Sequence, residues 1–164
     1  MSVDTIEKLF IAELKDLYSA ENQITKALPK MVKAATSTEL KKAFENHLRE
    51  TEGQIERLVE ICSMIGTNPK GKSCAGMKGV LSEGSEMLEE VEAGDVRDAA
   101  LISAAQRVEH YEMAAYGTLR NYAELLGQPQ AAKLLEKTLE EEKAADQKLT
   151  TISEKVNAQA QQNA

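Results

Sequence analysis

The sequence predicts an all-α fold: a four-helix bundle with a long crossover carrying a short fifth helix. Three observations point there. Ala, Leu, Glu and Lys dominate a chain of 164 residues with no Trp, two Phe and four Tyr, and straight-chain residues lose little rotamer freedom in a helix. Apolar residues recur at the helical period along four long stretches. Two of the connections between those stretches are short, while the middle one runs to roughly thirty residues.

The first helix is expected over roughly residues 4–34, with Ile6, Leu9, Leu17, Ile24, Leu28 and Met31 on one stripe. Asp4 is its expected N-cap and Glu7 completes a capping box. Pro29 lies inside the pattern, which predicts a kink just before it. The second helix is expected over roughly 37–65, capped by Ser37 and ended by Gly66. Its stripe is Leu40, Phe44, His47, Thr51, Gln54, Leu58, Ile61 and Ile65.

The stretch GTNPKGKSCAG, residues 66–76, reads as a loop. A short amphipathic helix follows, with Met77, Val80, Leu81, Met87, Leu88 and Val91 on one face and Gly94 at its end. The third long helix is expected over roughly 95–126, capped by Asp95 and closed by Gly127. The fourth starts at Pro129, a favoured first-turn residue, and continues to roughly 155. Residues 1–156 thus read as one domain, and 157–164, with little to bury, as a flexible tail.

Short connections make antiparallel hairpins of the first and last helix pairs. The long middle connection can run the length of the bundle and let the second and third long helices lie parallel. Two hairpins joined by one crossover is the ferritin-like arrangement.

Charge and composition narrow the function. A formal charge of −7 argues against a nucleic-acid partner, which selects a basic face. No apolar run approaches the roughly 20 residues needed to span a bilayer, and the N-terminus lacks a signal-peptide pattern. Cys62 and Cys74 show no CxxC spacing and read as free thiols in a reducing compartment. The expectation is a cytoplasmic protein, with a homodimer as the commonest symmetric assembly.

The chemistry lies where polar residues interrupt the apolar stripes. Glu21 sits on the core face of the first helix, and His47 and Gln54 hold stripe positions on the second, with Glu50 at their border. Glu109 and Glu112 occupy the midpoint of the third stripe; Glu142 lies in the fourth with Asp146 one turn on. Helices of similar length packed side by side bring these midpoints to one level. Several carboxylates buried together are costly unless a cation joins them. A pseudo-repeat adds to this: Glu21 precedes Glu50 by 29 residues and Glu112 precedes Glu142 by 30. Two quasi-equivalent halves predict two adjacent metal ions held among Glu21, Glu50, Glu109, Glu112, Glu142, Asp146 and His47. The competing reading makes ion pairs of these acids with Arg57 or Arg107, His47 a hydrogen-bonded core histidine, and His110 a surface residue.

The segments ELKDLYSAENQITKALPKM, HLRETEGQIERL, VRDAALISAAQRVEHYEMAAYGTL and KTLEEEKAADQKLT resemble the YciE/YciF family of ferritin-like bacterial stress proteins over nearly the whole chain. The chain is more distantly similar to rubrerythrins and other di-iron carboxylate bundles. That resemblance implies a bacterial stress role and a pair of iron or manganese ions, with reactivity toward peroxide or O₂ as the expectation. The pattern also departs from it. Di-iron bundles take Glu-x-x-His from two helices, whereas Gly53 follows Glu50 by three and Ala145 follows Glu142 by three. The second helix carries His47-x-x-Glu50 instead. An oxygen-rich shell of this kind suits Fe²⁺ or Mn²⁺ better than Zn²⁺ or copper. No Cys₄ module accompanies it, so any electron donor is a separate molecule. Metal binding without turnover, and a purely structural stress protein, are the alternatives.

Overall fold

A computed structural model describes residues 2–162 of the chain. Five helices appear among them: α1 Ile6–Ala34, α2 Thr38–Met64, α3 Ala75–Glu90, α4 Asp95–Leu125 and α5 Pro129–Gln162.

Each helix starts and stops for an identifiable reason. The N-cap of α1 is Thr5, whose hydroxyl accepts the Lys8 N–H at 3.2 Å. The expected cap, Asp4, lies just before it and pairs with the Lys8 ammonium at 2.6 Å. Ser37 caps α2 as its sequence predicts, accepting the Leu40 N–H at 3.3 Å. Gly66 follows α2 with φ 69°, in the left-handed region that a glycine enters at least cost. Cys74 caps α3 with its sulfur, which accepts the Met77 N–H at 3.3 Å. Gly94, at φ 138°, holds the cap position of α4, and Asp95 is its first helical residue rather than its cap. The helical stretch of α1 continues through Pro29 to Ala34. Similarly, α5 continues past Val156 to Gln162, so most of the expected tail is helical; residues 163–164 lie outside the described residues.

Side-chain contacts give the topology. Glu21 and Asp16 of α1 reach Tyr116 and Tyr111 of α4, while the far end of α1 meets the start of α4 at Asp98. Gln54 and Arg57 of α2 reach Glu142 and Thr138 of α5. Gln106 of α4 meets Thr150 and Arg120 meets Glu136 on α5. Neighbouring long helices are therefore antiparallel all round, which leaves α2 parallel to α4 across the diagonal. This is the ferritin-like connectivity, with α3 in the crossover.

The core runs the full length of the bundle, from Phe10, Leu14 and Leu17 to Leu135, Leu149 and Ile152. Met77 is the buried anchor of α3; its neighbours Val80, Leu81 and Leu88 are partly buried. Gly76 lets α3 approach α4, because a Cβ there would stand 2.9 Å from the Tyr111 ring. Asp98 ties the α1–α2 turn to α4, accepting the Thr36 and Ser37 N–H groups at 2.7 Å each. Cys62 and Cys74 are both free and buried, and burial pushes both thiols above the usual range. Among the described residues no helix is long and apolar enough to cross a membrane.

Candidate metal centre

Halfway along the bundle the apolar core gives way to acids. Glu21, Glu112 and Glu142 are wholly buried, Glu109 is 2% exposed and His47 is 6% exposed. Each reaches the axis because it sits in the apolar stripe of its own helix, on α1, α4, α5, α4 and α2 respectively. One ligand-type atom from each of His47, Glu109, Glu112 and Glu142 lies within 4.8 Å of every other. His47 Nε2 stands 3.3 Å from Glu109 Oε1 and 3.9 Å from Glu142 Oε2.

The other predicted residues surround this tetrad at different depths. Glu21 packs beside Glu112 and accepts the Tyr116 hydroxyl proton donor on Oε1. Glu50 is exposed at the edge, its Oε2 3.6 Å from His47 Nδ1. Asp146 is half-buried and turned to α4, where it pairs with His110 at 3.3 Å and accepts from Gln106 at 3.1 Å. His110 itself is a surface residue. Helical geometry accounts for both displacements. Side chains advance about 100° per residue, so Glu50 is rotated about 60° from His47 and Asp146 about 40° from Glu142.

Two residues outside the predicted set orient the carboxylates. The Gln54 amide donates to Glu142 Oε1 and, at 3.3 Å, to Glu141. Tyr116 holds Glu21. Gln54 and Tyr116 were legible as polar or aromatic members of the stripes, one turn from Glu50 and Glu112 on their own helices, whereas the acids they touch lie on α5 and α1. The sequence also allowed Tyr116 to donate to a carboxylate, with plain packing the favoured reading; which acid each residue holds was not legible, because it depends on how neighbouring helices are rotated.

The arginines do not neutralise the cluster. Arg57 pairs with Glu141 and donates to Thr138 Oγ1 at 2.9 Å, and Arg107 is exposed. Among the described residues, no Lys or Arg forms an ion pair with Glu21, Glu109, Glu112 or Glu142. Burial and the neighbouring carboxylates raise Glu109 and Glu112 well above the usual carboxyl range. Burial and Glu142 push Glu21 up to about 7, against the opposing influence of the adjacent Glu112 and the hydrogen bond from Tyr116. For His47, burial acts to lower the pKa, but Glu50, Glu142 and Glu21 outweigh it and raise it.

Much hydrogen-bonding capacity is left over. Glu21 Oε2, both Glu112 oxygens, Glu109 Oε2, Glu142 Oε2 and both His47 nitrogens are buried without a hydrogen-bond partner. Such a concentration of orphaned polar atoms is rare in a folded core, where buried polar groups are nearly all satisfied. A divalent cation fits these atoms. Ligands on opposite sides of an ion at 2.0–2.2 Å stand roughly 4.2 Å apart, so a tetrad spanning 4.8 Å need close by only tenths of an ångström.

Comparison with known proteins agrees with the fold. A family described as "Domain of unknown function (DUF892)" matches residues 5–162. The chain is 50% identical to Protein YciF of Escherichia coli K12 over 166 residues, covering all of both chains. Its structure superposes on that of the E. coli stress protein YciF with a TM-score of 0.92, at 49% identity, covering 95% of this chain and 99% of that one. YcfI of Rhodopseudomonas palustris, whose description proposes a structural role, matches at a TM-score of 0.89 and 45% identity over 92% of this chain and 98% of its own. A Xanthomonas campestris protein only 20% identical shares the fold, with a TM-score of 0.75 over 94% of this chain and 95% of its own.

Proposed function

The chain belongs to the DUF892 family, and from that premise we propose that it is a dinuclear metal-carboxylate protein of the bacterial stress response, taking two Fe or Mn ions per chain. The single observation that carries this reading is the set of buried, unpartnered ligand atoms at the bundle midpoint. His47, Glu109, Glu112 and Glu142 would hold one ion. Glu21, whose Oε2 is also unpartnered, would help to hold the second, together with Glu112. One imidazole among carboxylates favours Fe²⁺ or Mn²⁺ over softer metals.

When bound, a redox-active pair would supply electron exchange with peroxide or dioxygen. The chain's own residues set the conditions for it. Gln54 and Tyr116 fix the carboxylates of Glu142 and Glu21, and the surrounding leucines and isoleucines keep bulk water from them. Glu109 and Glu112 hold protons to unusually high pH, so they release them as cations arrive.

A structural role without turnover is the second reading, favoured by the description of the R. palustris neighbour. Metal content separates the two. Protein made in iron- and manganese-supplemented cells and purified without chelator is expected to carry about two Fe or Mn per chain by mass spectrometry. Glu112→Ala and Glu142→Ala are expected to lose them. No metal in the wild type, including after anaerobic reconstitution, would leave the structural reading standing.

A further inference from the structure

The cluster is shut off from solvent at Glu21, Glu112 and Glu142, but its His47–Glu109 edge is reached by a cavity of about 340 Å³ between α2 and α5. At the inner end stand His47 and Glu109, both more than nine-tenths buried, with both imidazole nitrogens and Glu109 Oε2 unpartnered. The side wall is apolar and small, formed in part by Ala144, Ala145 and Leu149. Ala145 matters most. It lies three residues after Glu142, one helical turn along the same face, where a longer side chain would reach toward the cluster. At about 30 Å³ per water in the liquid, the space admits a compact molecule of several non-hydrogen atoms together with solvent.

The mouth carries charge. Arg49, Glu50 and Lys148 line the cavity and are exposed. Glu50 turns its carboxylate to His47 Nδ1, 3.6 Å away, and Arg49 donates to the Asn46 side chain. Two cations against one carboxylate give this opening a positive excess on a chain whose net charge is −7.

We propose that the α2–α5 cavity is the port through which a small anion, of the size of azide or formate, reaches the cluster at its His47–Glu109 edge. Ala145 keeps the way open, and Arg49 and Lys148 draw the anion in. This rests on the metal reading above and adds to it a ligand class and a side of approach.

The test uses the full chain loaded with Co²⁺, whose visible absorption reports a change of surroundings, titrated with azide. Cobalt per chain is measured on the same samples. The wild type is expected to show a saturable spectral change. In Ala145→Leu that change should weaken by roughly tenfold or more with cobalt content retained. Lys148→Glu, a change at an exposed residue of the mouth that is not among the ligand residues, should weaken it several-fold and reduce its dependence on ionic strength. Cobalt bound but blind to azide, or azide bound equally by the wild type and both variants, would overturn the port. If Ala145→Leu fails to hold cobalt, Lys148→Glu decides alone. A wild type that takes up no cobalt overturns the metal reading and the port together, so the two failures are told apart by the metal measurement.

Discussion

Asp98 shows how much of this fold hangs on single polar residues. It is 1% exposed, and each of its carboxylate oxygens accepts one backbone N–H from the α1–α2 turn, 61 and 62 residues away in sequence. Hydrogen bonds to a charged acceptor contribute about 1.5–3 kcal/mol each, and a buried donor stripped of its partner keeps its desolvation cost. Asp98→Ala is therefore expected to destabilise the chain by about 2–4 kcal/mol, read as a lower urea midpoint at unchanged slope. Asn, with one acceptor oxygen, should recover part of the loss. An unaltered midpoint in Asp98→Ala would show that water replaces the carboxylate there. No spacing in the sequence distinguishes Asp98 from the solvated acids around it, because its partners are backbone groups of a distant turn.

At the scale of elements, two glycines inside helices make opposite predictions. Gly53 lies within α2 with nothing inside 4 Å of an added Cβ, so Gly53→Ala should stabilise by about 0.5–1 kcal/mol through helix propensity. Gly76 lies in the first turn of α3, and its added Cβ would meet the Tyr111 ring at 2.9 Å. Gly76→Ala should loosen α3 from α4 and cost about 1–3 kcal/mol, with faster hydrogen exchange confined to α3 if the crossover yields before the bundle does. Equal melting temperatures for the two variants would deny the close packing. The four long helices were legible because their apolar stripes run for many turns, and the length of the crossover gave the topology. Their ends were less so: Thr5 rather than Asp4 caps α1, since Asp4 finds Lys8, and α5 runs on past Val156. The depth of the acids along each helix was legible too. What the sequence could not rank was which acids point to the axis, because rotations of about 40–60° about a helix separate Glu142 from Asp146 and His47 from Glu50.

For the molecule as a whole, the midplane acids set a conflict between stability and metal binding that pH should expose. In the unfolded chain Glu21, Glu109 and Glu112 ionise near 4.5, whereas in the metal-free fold Glu21 is raised to about 7 and the other two well above their usual range. The folded chain then binds more protons than the unfolded one between those limits, so its stability falls as pH rises through that window. His47 acts in the same direction: with its pKa raised in the fold, its contribution is fully present below about 6.5 and is lost as pH climbs through the raised value. For a carboxyl raised from 4.5 to about 7, the part lost between pH 5.5 and 8 is roughly 2 kcal/mol, so chelator-treated protein should melt several degrees lower at pH 8 than at pH 5.5. On the metal reading proposed above, cations would reverse the balance, because a cation takes its ligands deprotonated, the form that the metal-free fold disfavours. Adding Mn²⁺ should therefore raise the melting temperature little at pH 5.5 and much more at pH 8, the gap widening as Glu21, raised to about 7, gives up its proton. Differential scanning calorimetry across that range, with and without Mn²⁺, measures both slopes on the same protein. A metal-free melting temperature that stays level from pH 5.5 to 8 would mean that water or rearrangement already relieves the buried acids. A level gap between loaded and metal-free protein would mean that Mn²⁺ binds somewhere other than these carboxylates.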